Sequence, residues 1–290
     1  MDVDDLDRLI PRRDPNRRTR ILGILNVTPD SFHDGGADAS PEAAAARARR
    51  MMEEGADALD LGAESTRPNA DPVSETEELR RLLPVLELLQ DAPVPLSVDT
   101  VKARVAERCL EAGASLVNDV SGLQHDPEIA SVCAERGAGL VLMHMRGDPR
   151  TMSTLTSYRD VVEESLRFLE GAIDRAVGLG VPESDILVDP GLGFAKAPEH
   201  NLQILNRLRE YLSLGRPVLV GASRKSFLAA FDGPTSADRL EATLATGALA
   251  VLGGASVLRV HDVRAHHRAV LATEAVVNAQ PVPAENALPC

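Results

Sequence analysis

The chain has 290 residues, 44% of them hydrophobic, which is enough for one large core. Aromatic residues supply only 2% and Trp is absent, so Val, Leu, Ile and Ala have to fill that core. The formal net charge of −13 argues against non-specific binding of nucleic acid or an anionic membrane, but a local basic pocket for an anionic substrate is compatible with it.

In chain order, residues 1–19 read as a charged, flexible arm with no signal-peptide core. The first apolar run, 21–27, holds Asn26 and leads into Thr28-Pro29-Asp30-Ser31-Phe32 and a loop hinged by Gly35-Gly36, suited to closing over a substrate. A helix over 42–54 follows. The run 58–63 ends at Glu64-Ser65-Thr66-Arg67-Pro68, and the helix over 74–89 opens with Ser74 and Glu77 at capping-box spacing. The run 95–98 ends at Asp99-Thr100, before a helix over 102–112 that stops at Gly113. The run 116–120 carries Asn118 and Asp119, before a helix over 126–136. The run 139–143 ends in Met143-His144, before a long amphipathic helix over 158–178. The run 186–188 leads into Asp189-Pro190-Gly191-Leu192-Gly193-Phe194, before a helix over 201–211. The run 217–222 leads into Ser223-Arg224-Lys225-Ser226, before a helix over 237–252. The run 256–260 contains Arg259 and passes into His261-Asp262, before a helix over 265–277; residues 279–290 hold three prolines and read as a flexible tail.

Eight strand–helix repeats with no Gly-rich dinucleotide fingerprint after the first strand predict one α/β domain over residues 20–278. The expected fold is a closed (β/α)8 TIM barrel of eight parallel strands, with its active site at the C-terminal rim. No apolar run is long enough to span a membrane. Cys109, Cys133 and Cys290 have no metal-ligand spacing, and so sparse and odd a count fits a reducing cytoplasm.

The strand ends carry the chemistry. Asp99 and Asp189, with Asn118, fit either helix caps or the N–H, NH2 and C=O edges of a flat heterocycle. Phe194 fits stacking on an aromatic ligand or plain packing on the rim. Arg259 and His261 alternate onto one face, beside Arg224-Lys225, as a solvated basic group or a di-anion site. Asn26 offers an oxygen suited to Mg²⁺ held mainly by phosphate and water. His144 reads as a ligand or a satisfied rim histidine. The remaining histidines form no set for nucleophilic catalysis.

Eight of these stretches resemble those of bacterial dihydropteroate synthase, in that family's order. They are Gly23–Phe32, Glu64-Ser65-Thr66-Arg67-Pro68, Ser97-Val98-Asp99-Thr100, Asn118-Asp119-Val120-Ser121-Gly122, Leu142-Met143-His144-Met145, Asp189–Phe194, Ser223–Ser226 and Arg259-Val260-His261-Asp262. The resemblance covers about residues 20–275. It implies the folate-pathway condensation of 6-hydroxymethyl-7,8-dihydropterin diphosphate with p-aminobenzoate. The products are 7,8-dihydropteroate and diphosphate, formed by an SN1-like substitution. It further implies that Asp99, Asn118, Met143, Asp189, Phe194 and Lys225 hold the pterin, with Asp99, Lys225 and Asn26 catalytic. Asn26, Arg67, Arg259 and His261 would hold diphosphate, with Mg²⁺ at Asn26. Phe32, Thr66, Pro68, Lys225 and Ser226 would hold p-aminobenzoate, and sulfonamides would be inhibitors. A cytoplasmic homodimer pairing through the later helices is implied as well. The chain departs from the family pattern at Ala63, usually Gly, and at Asn69, also usually Gly. Two other readings are a methyltetrahydrofolate methyltransferase and a non-catalytic pterin-binding paralogue. The first is disfavoured by the Asn26–Phe32, Ser65–Pro68 and Ser223–Ser226 stretches, and the second by the presence of Lys225, Arg259, Arg67 and both loops.

Overall fold

The computed structural model describes residues 18–28, 40–67, 70–233, 235 and 239–278. Within them, eight strands lie parallel in the order β6-β5-β4-β3-β2-β1-β8-β7. They are β1 (Arg20–Asn26), β2 (Ala58–Gly62), β3 (Leu96–Asp99), β4 (Leu116–Asp119), β5 (Gly139–Met143), β6 (Ile186–Asp189), β7 (Leu219–Val220) and β8 (Val257–Val260). The sheet closes where Val188 bridges Val218 and the Val188 N–H donates to the Pro217 carbonyl at 3.0 Å. The predicted barrel is therefore present, with its seam at β6–β7.

Helices separate the strands: α1 (Pro41–Glu53), α2 (Glu75–Leu88), α3 (Ala103–Glu111), α4 (Glu128–Arg136), α5 (Val161–Gly178), α6 (Pro198–Asn206), α7 (Leu240–Leu252) and α8 (Val263–Val277). Their apolar faces pack on the outward strand residues, with Val85 and Leu86 of α2, Val105 of α3, Ile129 of α4 and Leu169 of α5 all buried in one cluster. Inside the barrel, Leu22, Ala58, Leu116, Val141, Leu187, Leu219 and Val257 form a separate apolar layer. The barrel is thus a filled core, and the next inward layer up is the floor of the rim.

Four sequence expectations change in detail. The seventh strand is two residues long, because the chain leaves the sheet at Gly221 to form the Ser223–Ser226 turn. The helix expected over 201–211 divides into α6 and a 3₁₀ stretch, Leu208–Leu214, which Gly215 ends in the left-handed conformation. The capping box at Ser74 is half formed. Ser74 Oγ accepts from the Glu77 N–H at 3.3 Å, but the Glu77 carboxylate is taken by Arg80 Nε at 2.6 Å and Arg81 Nε at 2.7 Å. At the end of the segment read as an arm, Thr19 is buried and its hydroxyl donates to the Ala255 carbonyl at 3.2 Å, so packing on the barrel begins before β1. Residues 1–17 and 279–290 lie outside the described residues.

Candidate active site

Strand register places the functional side chains. Asn26 of β1 pairs with Gly62, Gly62 with Asp99, and Asp99 with Asn118, while Met143 of β5 pairs with Asp189 of β6. Four strand ends, β1 to β4, thereby lie in one register, and the ends of β5 and β6 pair beside them at the same rim.

The centre of this layer is a residue that the motifs did not single out. Asp60 of β2 is fully buried. Its Oδ2 accepts from Arg259 Nε at 2.6 Å and from Asn118 Nδ2 at 2.9 Å, and its Oδ1 accepts from Ser97 Oγ at 2.6 Å. Arg259 also donates through Nη2 to Asp99 Oδ2 at 2.7 Å. One guanidinium therefore joins two carboxylates, and Asp60 fixes the orientation of both Arg259 and Asn118. With its amide nitrogen given to Asp60, Asn118 presents its Oδ1 as an acceptor to a ligand N–H. Burial pushes the Asp99 carboxyl up to about 7, against the pull of Arg259. Arg259 stays charged: its carboxylate neighbours outweigh its burial and raise its pKa further.

Asp189, Phe194 and Lys225 form the adjoining wall. Asp189 Oδ1 accepts from the Gly191 N–H at 2.7 Å. Burial raises the Asp189 pKa, opposed by the charge of Lys225. The Lys225 ammonium donates to the Leu192 carbonyl and lies 4.2 Å from the centre of the Phe194 ring, a cation–π contact. Burial pulls Lys225 down to about 8, opposed by Asp189. Two glycines make this wall possible. Gly193 has φ +80°, and a Cβ there would stand 2.8 Å from Lys225 Cδ. Gly191 has φ +71°, and a Cβ there would meet the His144 carbonyl at 2.0 Å. Phe194 and Met143 cluster with Val120, Met145 and Met152, so the predicted pterin wall has further apolar members. A cavity of about 270 Å³ opens beside Asp99 and Phe194 and reaches Thr66 on the loop after β2.

The phosphate side is less tightly drawn together. Asn26 is half-buried at the end of β1. His261 accepts or shares a hydrogen bond with Ser223 Oγ through Nδ1 at 3.0 Å. Burial, with Arg259 beside it, pushes His261 down to about 3, so it is neutral near pH 7 and would meet an anion as a hydrogen-bond donor. Arg224 does not face the rim as part of a basic pair: it forms a two-pronged bridge to Asp262, with bonds of 2.9 and 2.5 Å. Arg67 is exposed, Ser226 opens a 3₁₀ turn (Ser226–Leu228), and neither hydrogen-bonds to the Asp60 group. Phe32, Pro68 and Asn69 lie outside the described residues, as does the Gly35-Gly36 hinge. Ala63 is buried and is absent from the positive-φ positions, so the usual glycine is not required for backbone conformation there. The base of its loop is held by Lys102, whose ammonium bridges Glu64 and, at 2.6 Å, the buried Glu78.

His144 is buried with its ring against Phe168, at 5.0 Å between centroids, and so takes the satisfied reading, not that of a ligand. Cys109 and Cys133 are buried thiols pushed up to about 12, inert by that measure. Among the described residues no three His, Cys, Asp or Glu side chains are grouped to hold a metal ion. A single amide oxygen at Asn26 fits only a metal whose other ligands are phosphate and water.

Comparison with known proteins agrees with this geometry. The sequence model of the family described as "Pterin binding enzyme" matches residues 22–261. A dihydropteroate synthase of Synechocystis sp. is 46% identical over 254 residues, 87% of this chain and 88% of the relative. The structure of a dihydropteroate synthase from Clostridium difficile, solved in the presence of pteroic acid, superposes with a TM-score of 0.84 at 42% identity, covering 90% of this chain and 97% of that one. That of Thermus thermophilus, in complex with 4-aminobenzoate, gives 0.80 at 49% identity over 89% and 95%. A closed parallel barrel, a carboxylate–arginine floor and an Asp–Phe–Lys wall thus occur in a chain that belongs to the pterin-binding enzyme family, in its dihydropteroate synthase branch.

Proposed function

We propose that this rim binds 6-hydroxymethyl-7,8-dihydropterin diphosphate and p-aminobenzoate and joins them as 7,8-dihydropteroate, releasing diphosphate. The observation that carries the residue assignment is the buried Asp60–Arg259–Asp99 group with Asn118, set beside Asp189 and Lys225. Acceptors at Asp99, Asn118 and Asp189 match the N–H and NH2 edge of a pterin, and the Lys225 ammonium matches its carbonyl. Phe194 and Met143 cover its faces.

The C–O bond between the pterin methylene and diphosphate breaks first, with both electrons leaving on diphosphate. The ring spreads the resulting positive charge, and ionised Asp99 stabilises it in a site of low dielectric. Arg259, Arg67, neutral His261 and Asn26 bind the leaving group. Asn26 would be the side chain to hold Mg²⁺, which would supply further charge neutralisation for the leaving group. The amine of p-aminobenzoate then forms the C–N bond and gives its proton to solvent; Thr66, Phe32, Pro68 and Ser226 hold it. Sulfonamides would compete at this second pocket. No protein nucleophile is required.

The working form needs Asp99 ionised and Lys225 protonated. Asp99 loses its charge below about pH 7 and Lys225 loses its own above about pH 8. The expected kcat/KM for the pterin diphosphate is therefore a narrow bell with limbs near those values, since this ratio reports the unliganded enzyme. A profile flat from pH 6 to 9 would remove both assignments. Condensation inhibited by a sulfonamide competitively with p-aminobenzoate tests the reaction itself.

A homodimer is part of the same reading. Leu249, Leu252 and Leu271 on the last two helices and Phe231 on the short helix Ala229–Asp232 before them are exposed apolar residues. Sedimentation should give about twice the 31.0 kDa chain mass, and a monomer at micromolar concentration would refute the pairing. Among the described residues no helix is long and apolar enough to cross a membrane. A cytoplasmic location is proposed from the sparse cysteines.

A further inference from the structure

A second lysine lies behind the pterin wall, and the mechanism above makes no use of it. Lys196 is only 8% exposed. Its Nζ stands 2.9 Å from His144 Nδ1, 2.9 Å from the Gly191 carbonyl, 3.0 Å from the Phe194 carbonyl and 3.2 Å from the His144 carbonyl. Among the described residues it forms no ion pair with a carboxylate. Burial pulls the Lys196 pKa well below the usual lysine value, against the charge of Asp189. Burying such an amine is expensive, and a well-packed apolar side chain would ordinarily be more stable in its place. Its four partners therefore call for a role other than packing.

Those partners belong to the turn that builds the site and to His144 beside it. The Leu192 carbonyl faces forward to Lys225, while the carbonyls of Gly191 and Phe194 face backward to Lys196. The turn is gripped between two lysine amino groups, Lys225 in front and Lys196 behind. Its remaining backbone is tied from behind as well: the Gly193 N–H donates to Asn201 Oδ1 at 2.6 Å, and Tyr158 donates to the carbonyl of Ala195, which sits at φ +49°, at 3.0 Å. The Gly191 N–H in turn holds Asp189 Oδ1 at 2.7 Å. Lys196 also reaches the His144 backbone, so it joins the end of β5, next to Met143, to the turn after β6.

The geometry points to Lys196 as a positioning residue for pterin recognition: its amino group holds the Gly191–Phe194 turn and thereby aims the Asp189 carboxylate and the Phe194 ring. His144, its ring kept uncharged by burial, shares a hydrogen bond with it through Nδ1. The proposal rests on the pterin reading of the site, and it places the control of pterin affinity one layer behind the residues that touch the ligand.

The test is Lys196→Met in the full chain, with 6-hydroxymethylpterin, which lacks the leaving group, titrated by calorimetry. The dissociation constant is expected to rise about tenfold, the scale for a binding group displaced by a fraction of an ångström. At saturating pterin diphosphate, the KM for p-aminobenzoate should stay within twofold. A merely structural lysine would lower the fraction of active protein and leave both constants unchanged. A rise of less than threefold in the pterin constant overturns the proposal. If Lys196→Met does not fold, Lys196→Gln, which keeps two N–H donors, is held to the same threshold. Failure of the unsubstituted chain to bind the pterin would instead refute the functional reading, and the two failures are thus distinguished.

Discussion

Asp99→Asn is expected to lower kcat by about 1000-fold, the loss typical of removing one pre-organised electrostatic group from a water-poor site. The change is nearly isosteric. An asparagine oxygen can still accept from Arg259 Nη2, so the floor of the barrel keeps its hydrogen bonds. What disappears is the negative charge facing the methylene as diphosphate departs. Folding stability should change little, because burial already penalises the ionised carboxyl in the unliganded protein. Single-turnover kinetics with a thermal melt checks both parts. Near-normal turnover in a folded variant would remove Asp99 from the stabilisation of the cation.

Arg259→Ala is expected to act on both binding and stability. It removes the donor to Asp60 and Asp99 at once, leaving a fully buried carboxylate without its counter-ion. Breaking such a pair by deleting one partner costs about 3–5 kcal/mol. It also removes the charged N–H donor proposed for the diphosphate, and a charge-assisted hydrogen bond of about 1.5–3 kcal/mol corresponds to a KM higher by roughly 10- to 150-fold. The KM for p-aminobenzoate should move far less. Arg259→Lys separates the two effects, since it keeps a charge near Asp60 and Asp99 but loses the guanidinium donor left over for the diphosphate. Its stability should lie closer to that of the parent chain, while its KM for the pterin diphosphate stays raised. An equal rise in both KM values would argue against a diphosphate contact.

The barrel was legible because each apolar run stops on a polar cluster, and the C-terminal rim is where such runs must deliver their chemistry. Asp99, Asn118 and Asp189 stand at those ends, so position alone marked them. Asp60 was hidden inside the run 58–63, where one acid among apolar residues reads as an interruption. Its signal was parity: residues 58, 60 and 62 point to the same side of β2, and Ala58 lines the barrel interior. An acid at an inward position demands a buried cation. That cation, Arg259, lies 199 residues away, a separation that no local pattern spans. Arg224 misled for the complementary reason. Beside Lys225 it reads as half of a basic pair, and only the packing of β8 reveals that Asp262 occupies it. Lys196 follows a conspicuous motif by two residues and reads as a surface lysine, because burial is a property of the folded turn. The short β7 and the 3₁₀ stretch after α6 reflect closure of the seam, where register is set by neighbours distant in sequence.

The most direct test of the account is diphosphate release from 6-hydroxymethyl-7,8-dihydropterin diphosphate by the purified chain with Mg²⁺, followed together with pteroate formation, with and without p-aminobenzoate. The account predicts release in equal amount to 7,8-dihydropteroate when the amine is present, and only slow release without it, as water replaces the amine at the methylene. Tight pterin binding with neither diphosphate release nor condensed product would contradict it.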